Sequence, residues 1–268
     1  MLEKIKRVDG IQAVVLGGSR ARGIHTPASD IDLGLYYHPD TPPDLAALNQ
    51  VATELDDDHR PNLLTPLGGW GPWINGGGWL IVHSLHVDFL YRNLKQISAV
   101  IEACRAGQVE VAYQPGHPQG FVSAMYLGEV AVCRLLWEAG GELTRLKALA
   151  SPYPPKLKQA LIEKFAWEID FSLDIARKGV ERKDVTYMAG CFFRAVACML
   201  QVLFALNEQY WLNEKGAVAL AETFALRPPG FQARTEAAFA LLAADSPALQ
   251  RALDILDSLA GDVRRLIS

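Results

Sequence analysis

Residues Leu16–Leu35 read LGGSRARGIHTPASDIDLGL, and the fold turns on this stretch. The β-branched run Ile11–Leu16 (IQAVVL) ends at Gly17-Gly18-Ser19, as a buried strand does when it delivers its end to a tight turn. A short helix starts at or just after Ser19. Glycine lets a backbone pass close to a bound anion, and the N–H groups of a helix N-terminus attract one. Ser19 adds a hydroxyl donor at the same place. Further on, Ser29-Asp30-Ile31-Asp32-Leu33 opens a second strand that alternates through Tyr37. Residues i and i+2 of a strand face the same way, so Asp30 and Asp32 present two carboxylates to one side while Ile31 and Leu33 turn to the core.

Two adjacent carboxylates repel each other unless a cation lies between them. Hard Mg²⁺ is bound through carboxylates together with substrate phosphates. A phosphate loop beside a carboxylate pair points to metal-assisted transfer of a nucleotidyl group from a nucleoside triphosphate. In that chemistry the protein positions the triphosphate and neutralises charge. A third carboxylate, Asp88 in LHVDFLYR, lies on a strand whose Val87 and Phe89 face the core. If that strand neighbours the first acidic one, three carboxylates converge. Asp88 is then either a further metal ligand or the general base for an acceptor hydroxyl.

The halves of the chain differ in texture. Up to about residue 118, short apolar runs alternate with glycines and prolines. Strands are expected at Trp79–Val82 and Leu85–Tyr91, and helices at Pro43–Asp58 and Leu94–Ala106, with Gly107 as the residue after the second helix. From 119 onward, apolar spacing of 3.6 predicts helices over Val122–Ala139, Lys156–Lys178, Val185–Asn207, Gly216–Phe224, Phe231–Ala244 and Leu249–Leu266. Ser246 followed by Pro247 reads as the N-cap and first residue of the last helix. The expected architecture is an α/β (α+β) N-terminal domain with a mixed sheet, residues 1–118, and an all-α helical bundle, residues 119–268.

Gly18-Ser19, Ser29-Asp30-Ile31-Asp32 and the later Asp88 resemble the nucleotidyltransferase superfamily related to DNA polymerase beta, and more closely its small bacterial antibiotic and minimal members. GGWGPWINGGGW followed by VDFLYR is similar to sequences of bacterial members. The resemblance covers residues 17–33 and 88. It implies Asp30, Asp32 and Asp88 as catalytic acids and metal ligands, with Mg²⁺ (or Mn²⁺ in its place) as cofactor and ATP or another nucleoside triphosphate as substrate. Gly18, Ser19 and Ser29 would contact the triphosphate. Arg22 and Arg20 follow the loop and are candidates for the same role, with solvated helix arginines as the alternative. Family helical domains often offer a basic residue to the nucleotide tail; Lys215, in WLNEKGAV, is the candidate.

The implied activity is transfer of a nucleoside monophosphate, AMP from ATP, to a hydroxyl of a small molecule such as an aminoglycoside-like antibiotic, with release of pyrophosphate. Nucleotidylation of a protein partner and a non-catalytic nucleotide-binding module are the alternatives. Lys and Arg total 26 against 30 Asp and Glu, a net charge of −4, which disfavours nucleic acid as a partner. Four cysteines in 268 residues read as buried thiols of a reducing cytoplasm. No apolar signal region or uninterrupted membrane-length apolar run is present. The six histidines lack zinc-site spacing. Thr65–Trp79, with six glycines and three tryptophans, shapes an acceptor or base pocket or is anchored by buried tryptophan. Asp56-Asp57-Asp58 reads as a solvated helix end. Nothing in the sequence sets an oligomeric state.

Overall fold

The computed structural model describes residues 1–268, which divide into two compact units. The first takes in 1–103, 111–116 and 120–152; the second takes in 104–110, 117–119 and 153–268.

In the first unit the chain runs α1 (Leu2–Ile5), β1 (Ile11–Leu16), α2 (Gly18–Arg22), β2 (Ile31–Tyr37), α3 (Leu45–Leu55), β3 (Gly77–Val82), β4 (Leu85–Asn93) and all but the last two residues of α4 (Leu94–Arg105). After these come β5 (Val111–Ala112), β6 (Phe121–Val122), α5 (Ala124–Val132), β7 (Arg134–Glu138) and α6 (Glu142–Leu149). Five strands form a mixed sheet in the order β3-β4-β2-β1-β7. The pair β2–β4 is parallel and the other three pairs are antiparallel. Alternation decides the faces. Leu33, Leu35 and Tyr37 of β2 and Val87, Phe89 and Tyr91 of β4 turn to a core closed by Leu48 and Ala52 of α3. Asp44 starts α3, its carboxylate accepting from the N–H groups of Ala46 and Ala47 at 3.0 Å each.

One element is not what periodicity predicted. The helix expected over 122–139 ends at Val132, and Arg134–Glu138 pairs with β1 as an edge strand. Lys147 of α6 forces the stop: its Nζ donates to the carbonyls of Val130, Ala131 and Cys133 at 2.8, 3.0 and 2.7 Å, satisfying the open end of α5. The first unit therefore reaches Pro152, past the expected division at 118.

The second unit is helical: α7 (Pro155–Arg182), α8 (Val185–Leu206), α9 (Ala217–Ala221), α10 (Phe231–Ala240) and α11 (Ser246–Ile267). By length and composition α8 could cross a membrane, but 72% of its apolar window is buried inside the protein, as in a core helix. Cys191 and Cys198 are buried along it, and all four cysteines are free. The last helix is capped by Asp245, which accepts from the Ala248 N–H at 2.9 Å. Ser246, expected as the cap, is already helical and its hydroxyl donates to the Val180 carbonyl at 3.0 Å.

Candidate active site

The parallel pairing of β2 with β4 sets Asp32 beside Asp88 in register. Register partners on neighbouring strands share a face about 4.8 Å apart, so their carboxylates crowd together. Asp30 lies just ahead of β2 and is exposed, and its charge reaches the same point. Burial, then the charges of Asp32 and Asp30, push the Asp88 carboxyl up to about 6, with His86 opposing. Asp32 and Asp88 are thus neighbours in register, and Asp30 acts on Asp88 through its charge. Trp79 of β3 is the register partner of Asp88 on its other side, so a row Asp32–Asp88–Trp79 crosses three strands on the face away from the core.

The turn before α2 is shaped around Asp32. The Gly17 N–H donates to the Asp32 carbonyl at 2.8 Å. Gly18 has φ +59°, and a Cβ there would lie 1.8 Å from Asp32 Oδ2. Only glycine allows the turn and the carboxylate to approach this closely. Ser19 follows as the second residue of α2, at its N-terminal end.

The neighbouring residues divide between holding the loop and facing the site. Arg20 is a clamp: Nε donates to the carbonyls of Ser29 and Asp30 at 3.1 Å each, and Nη2 to Ser29 at 2.7 Å. Two of its guanidinium nitrogens are engaged with the backbone that carries the acids. Ser29 Oγ accepts from the Thr26 N–H at 3.0 Å, closing a local turn. Arg22 is half-buried beside the loop, and burial lowers its pKa. Lys215 is exposed and belongs to the second unit.

The glycine-rich stretch separates its tryptophans. Trp73 stacks on Phe121 with ring centres 5.2 Å apart, and its carbonyl accepts from the Tyr126 hydroxyl, so it anchors the loop. Trp70 stacks on Trp79 at 4.6 Å, and Trp79 remains 60% exposed. Gln114 Nε2 holds the Trp70 carbonyl at 2.7 Å. Gly77, at φ +157°, lets β3 begin against β4: a Cβ there would lie 1.7 Å from the Phe89 carbonyl oxygen.

Two structural acids were not legible as such. Asp56 is fully buried, not solvated. It accepts from Arg60 at 2.9 and 2.5 Å and from the Ile81 N–H at 2.9 Å, and the Arg60 hydrogen bonds hold its pKa far below the carboxylate range. Asp57 accepts from His83 and Ser84 N–H at 2.8 Å each, bracing the β3–β4 turn. Arg92, 4% exposed, forms a two-pronged pair with Glu129 at 2.7 and 2.8 Å. Partners this remote in sequence leave no local pattern.

The donor set fits a hard divalent cation in kind. Asp32 and Asp88 stand side by side on one face, and burial together with the charges of Asp32 and Asp30 raises the Asp88 pKa, next to a turn closed directly on the Asp32 carboxylate. As they stand, no three His, Cys, Asp or Glu side chains are close enough to hold a metal by themselves.

Residues 1–67 match the nucleotidyltransferase domain, a segment that includes Gly18, Ser19, Asp30 and Asp32 and stops before Asp88. Residues 122–215 match a domain of unknown function, DUF4037. No curated protein matches the chain. A nucleotidyltransferase-like protein from Exiguobacterium sibiricum 255-15 is similar in structure, with 12% identity over 99% of this chain and 75% of that one and a TM-score of 0.45. The similarity to a nucleotidyltransferase domain thus covers the first 67 residues of the chain.

Proposed function

We propose that the nucleotidyltransferase domain transfers a nucleoside monophosphate, AMP from ATP, to a hydroxyl of a small molecule and releases pyrophosphate. The in-register pair Asp32–Asp88, with Asp88 at about 6, carries this reading. A carboxyl poised near neutrality is matched to taking a proton from a hydroxyl. Asp88 removes the acceptor proton, and the acceptor oxygen forms a bond to the α-phosphorus. The bond from that phosphorus to the β-phosphate bridging oxygen breaks, and pyrophosphate carries away the electron pair. Gly18 and Ser19 hold the triphosphate through backbone N–H groups and a hydroxyl, with Arg22 and Ser29 as further nucleotide contacts. Mg²⁺, with Mn²⁺ as a substitute, would be held by Asp30 and Asp32 together with the phosphates, where it supplies charge neutralisation.

The Trp70–Trp79 stack supports a small acceptor with a flat or cationic face, since an exposed indole next to Asp88 offers stacking and cation–π contact. Aminoglycoside-like molecules fit that chemistry, since neighbouring carboxylates favour polycations. Four free, buried thiols support the cytoplasm as the compartment.

The test is pyrophosphate release with each of the four nucleoside triphosphates against an acceptor library, in Mg²⁺ and in excess chelator. Mass spectrometry reads the added monophosphate. A monophosphate adduct on a small hydroxyl compound, lost with chelator and in Asp32→Asn, is expected. ATP binding without pyrophosphate release, or a label found only on protein, would overturn the assignment.

A further inference from the structure

Asp30 is the acid of the cluster that no strand holds. Pairing of β2 with β4 begins at Ile31, and its pairing with β1 reaches no further than Leu33. Residues 23–28, which lead from α2 towards it, are exposed, and so is Asp30 itself. A loop residue of this kind keeps its backbone freedom unless a contact outside the ladder removes it.

Arg20 makes that contact. Its Nε donates to the carbonyls of Ser29 and Asp30 at 3.1 Å each, and its Nη2 donates to Ser29 at 2.7 Å. The Ser29 carbonyl lies in the peptide plane that enters Asp30, and the Asp30 carbonyl lies in the plane that leaves it. A peptide unit is planar, so pinning an oxygen of each plane restricts the φ and ψ between them. The direction of the Asp30 Cα–Cβ bond is then set, and side-chain rotation alone remains. A guanidinium suits this task because its donors form a rigid planar fork. Arg20 also follows Ser19 directly on α2, so one side chain ties the helix that begins at the Gly18 turn to the acid.

We propose that Arg20 is a positioning residue: by pinning the peptide units on both sides of Asp30, it aims that carboxylate at the divalent cation held with Asp32 and the phosphates. The proposal rests on the nucleotidyl-transfer reading, because only there does Asp30 have a cation to meet. A solvated helix arginine would not spend two nitrogens on main-chain oxygens. An arginine placed to neutralise the acids would meet carboxylate oxygens, and Arg20 meets carbonyls.

The experiment is calorimetric titration of the full chain with α,β-methylene-ATP in saturating Mg²⁺, a triphosphate that cannot transfer its monophosphate. Arg20→Met keeps the aliphatic stem and removes the donors, and affinity should fall roughly tenfold or more, as when the partner that orients a metal ligand is lost. Arg20→Lys keeps one compact donor head and should fall between Arg20→Met and wild type. In an Asp30→Ala background either substitution should cost nothing further, since a residue that acts through Asp30 has nothing left to position. Thermal unfolding of each variant shows that a folded chain is titrated, and Arg20→Lys carries the comparison if Arg20→Met fails to fold. Equal losses with and without the Asp30 carboxylate would make Arg20 a direct phosphate contact or a general brace and overturn the proposal. Wild-type affinity in both Arg20 variants, with binding still weakened by Asp32→Asn, would overturn it and leave the nucleotidyl-transfer assignment standing. No binding by the wild-type chain, or binding indifferent to Asp32→Asn, would overturn that assignment and the proposal with it.

Discussion

At Gly18 a single hydrogen stands where any other side chain would meet Asp32 Oδ2 at 1.8 Å, so Gly18→Ala has to displace the carboxylate or the turn. Misplacing a reacting group by about an ångström costs on the order of 10² in rate. We expect that loss in turnover, with a fall in stability of only about 1–2 kcal/mol from a non-glycine residue at positive φ. Unchanged turnover would mean that the turn does not position Asp32. Asp88 gives a second test. Its folded pKa of about 6 lies above the unfolded value near 3.9, so the folded protein holds a proton that the unfolded chain has lost between those values. Ionising Asp88 therefore costs folding stability: nothing below about pH 4, a growing amount up to 6, and the full amount at 7. Asp88→Asn should raise the unfolding midpoint at pH 7 but not at pH 4, and should remove the acidic limb of the pH–rate profile. A midpoint difference independent of pH would place Asp88 outside the carboxylate cluster. These residues were legible in the sequence because strand alternation alone puts Asp30, Asp32 and Asp88 on faces opposite the core. Their convergence was not legible: it depends on which strand lies beside β2, and the parallel β2–β4 register settles that.

Among the elements, β3 and β4 were readable from alternation, and the acidic residues that fasten them were not. Asp56 looks like the frayed end of α3 until the fold brings Ile81 to it across the sheet edge. Asp56→Ala strands the Ile81 N–H and frees Arg60, and should cost about 2–3 kcal/mol. Its depressed pKa keeps this contribution in full above the unfolded pKa, and the contribution shrinks steadily as pH falls from there towards the much lower folded pKa. Chemical denaturation at pH 7 and pH 2 should show the Asp56→Ala penalty shrinking at the lower pH. A penalty unchanged between the two would mean the carboxylate charge does not matter. The missed strand β7 has a similar origin. Leu135, Leu136 and Trp137 continue the apolar spacing of α5 well enough to read as more helix. Only a lysine from the next helix, capping three carbonyls, and the open edge of β1 turn them into a strand.

At the scale of the molecule, the change of texture near residue 118 marks where strands thin out, but the first compact unit extends to Pro152. The reason is covalent order against packing order. Residues 121–149 supply β7 to the edge of β1, Glu129 to the buried Arg92, and Phe121 and Tyr126 to Trp73. A chain ending at 118 would leave Arg92 buried without its carboxylate and β1 with an unpaired edge. Leaving a buried ionic partner alone costs about 3–5 kcal/mol, a large part of the stability of a domain this size. An exposed strand edge adds a route to aggregation. The fragment 1–152 should therefore show a cooperative thermal transition by circular dichroism, and 1–118 should show none or precipitate. Arg92→Met in the full chain separates the two causes. If loss of the ion pair dominates, that substitution together with Glu129→Leu should recover most of the stability that Arg92→Met alone leaves uncompensated at Glu129. If the open edge dominates, the double variant should be stable while 1–118 carrying Arg92→Met still aggregates. Cooperative unfolding of unmodified 1–118 would overturn the assignment of residues 120–152 to the first unit.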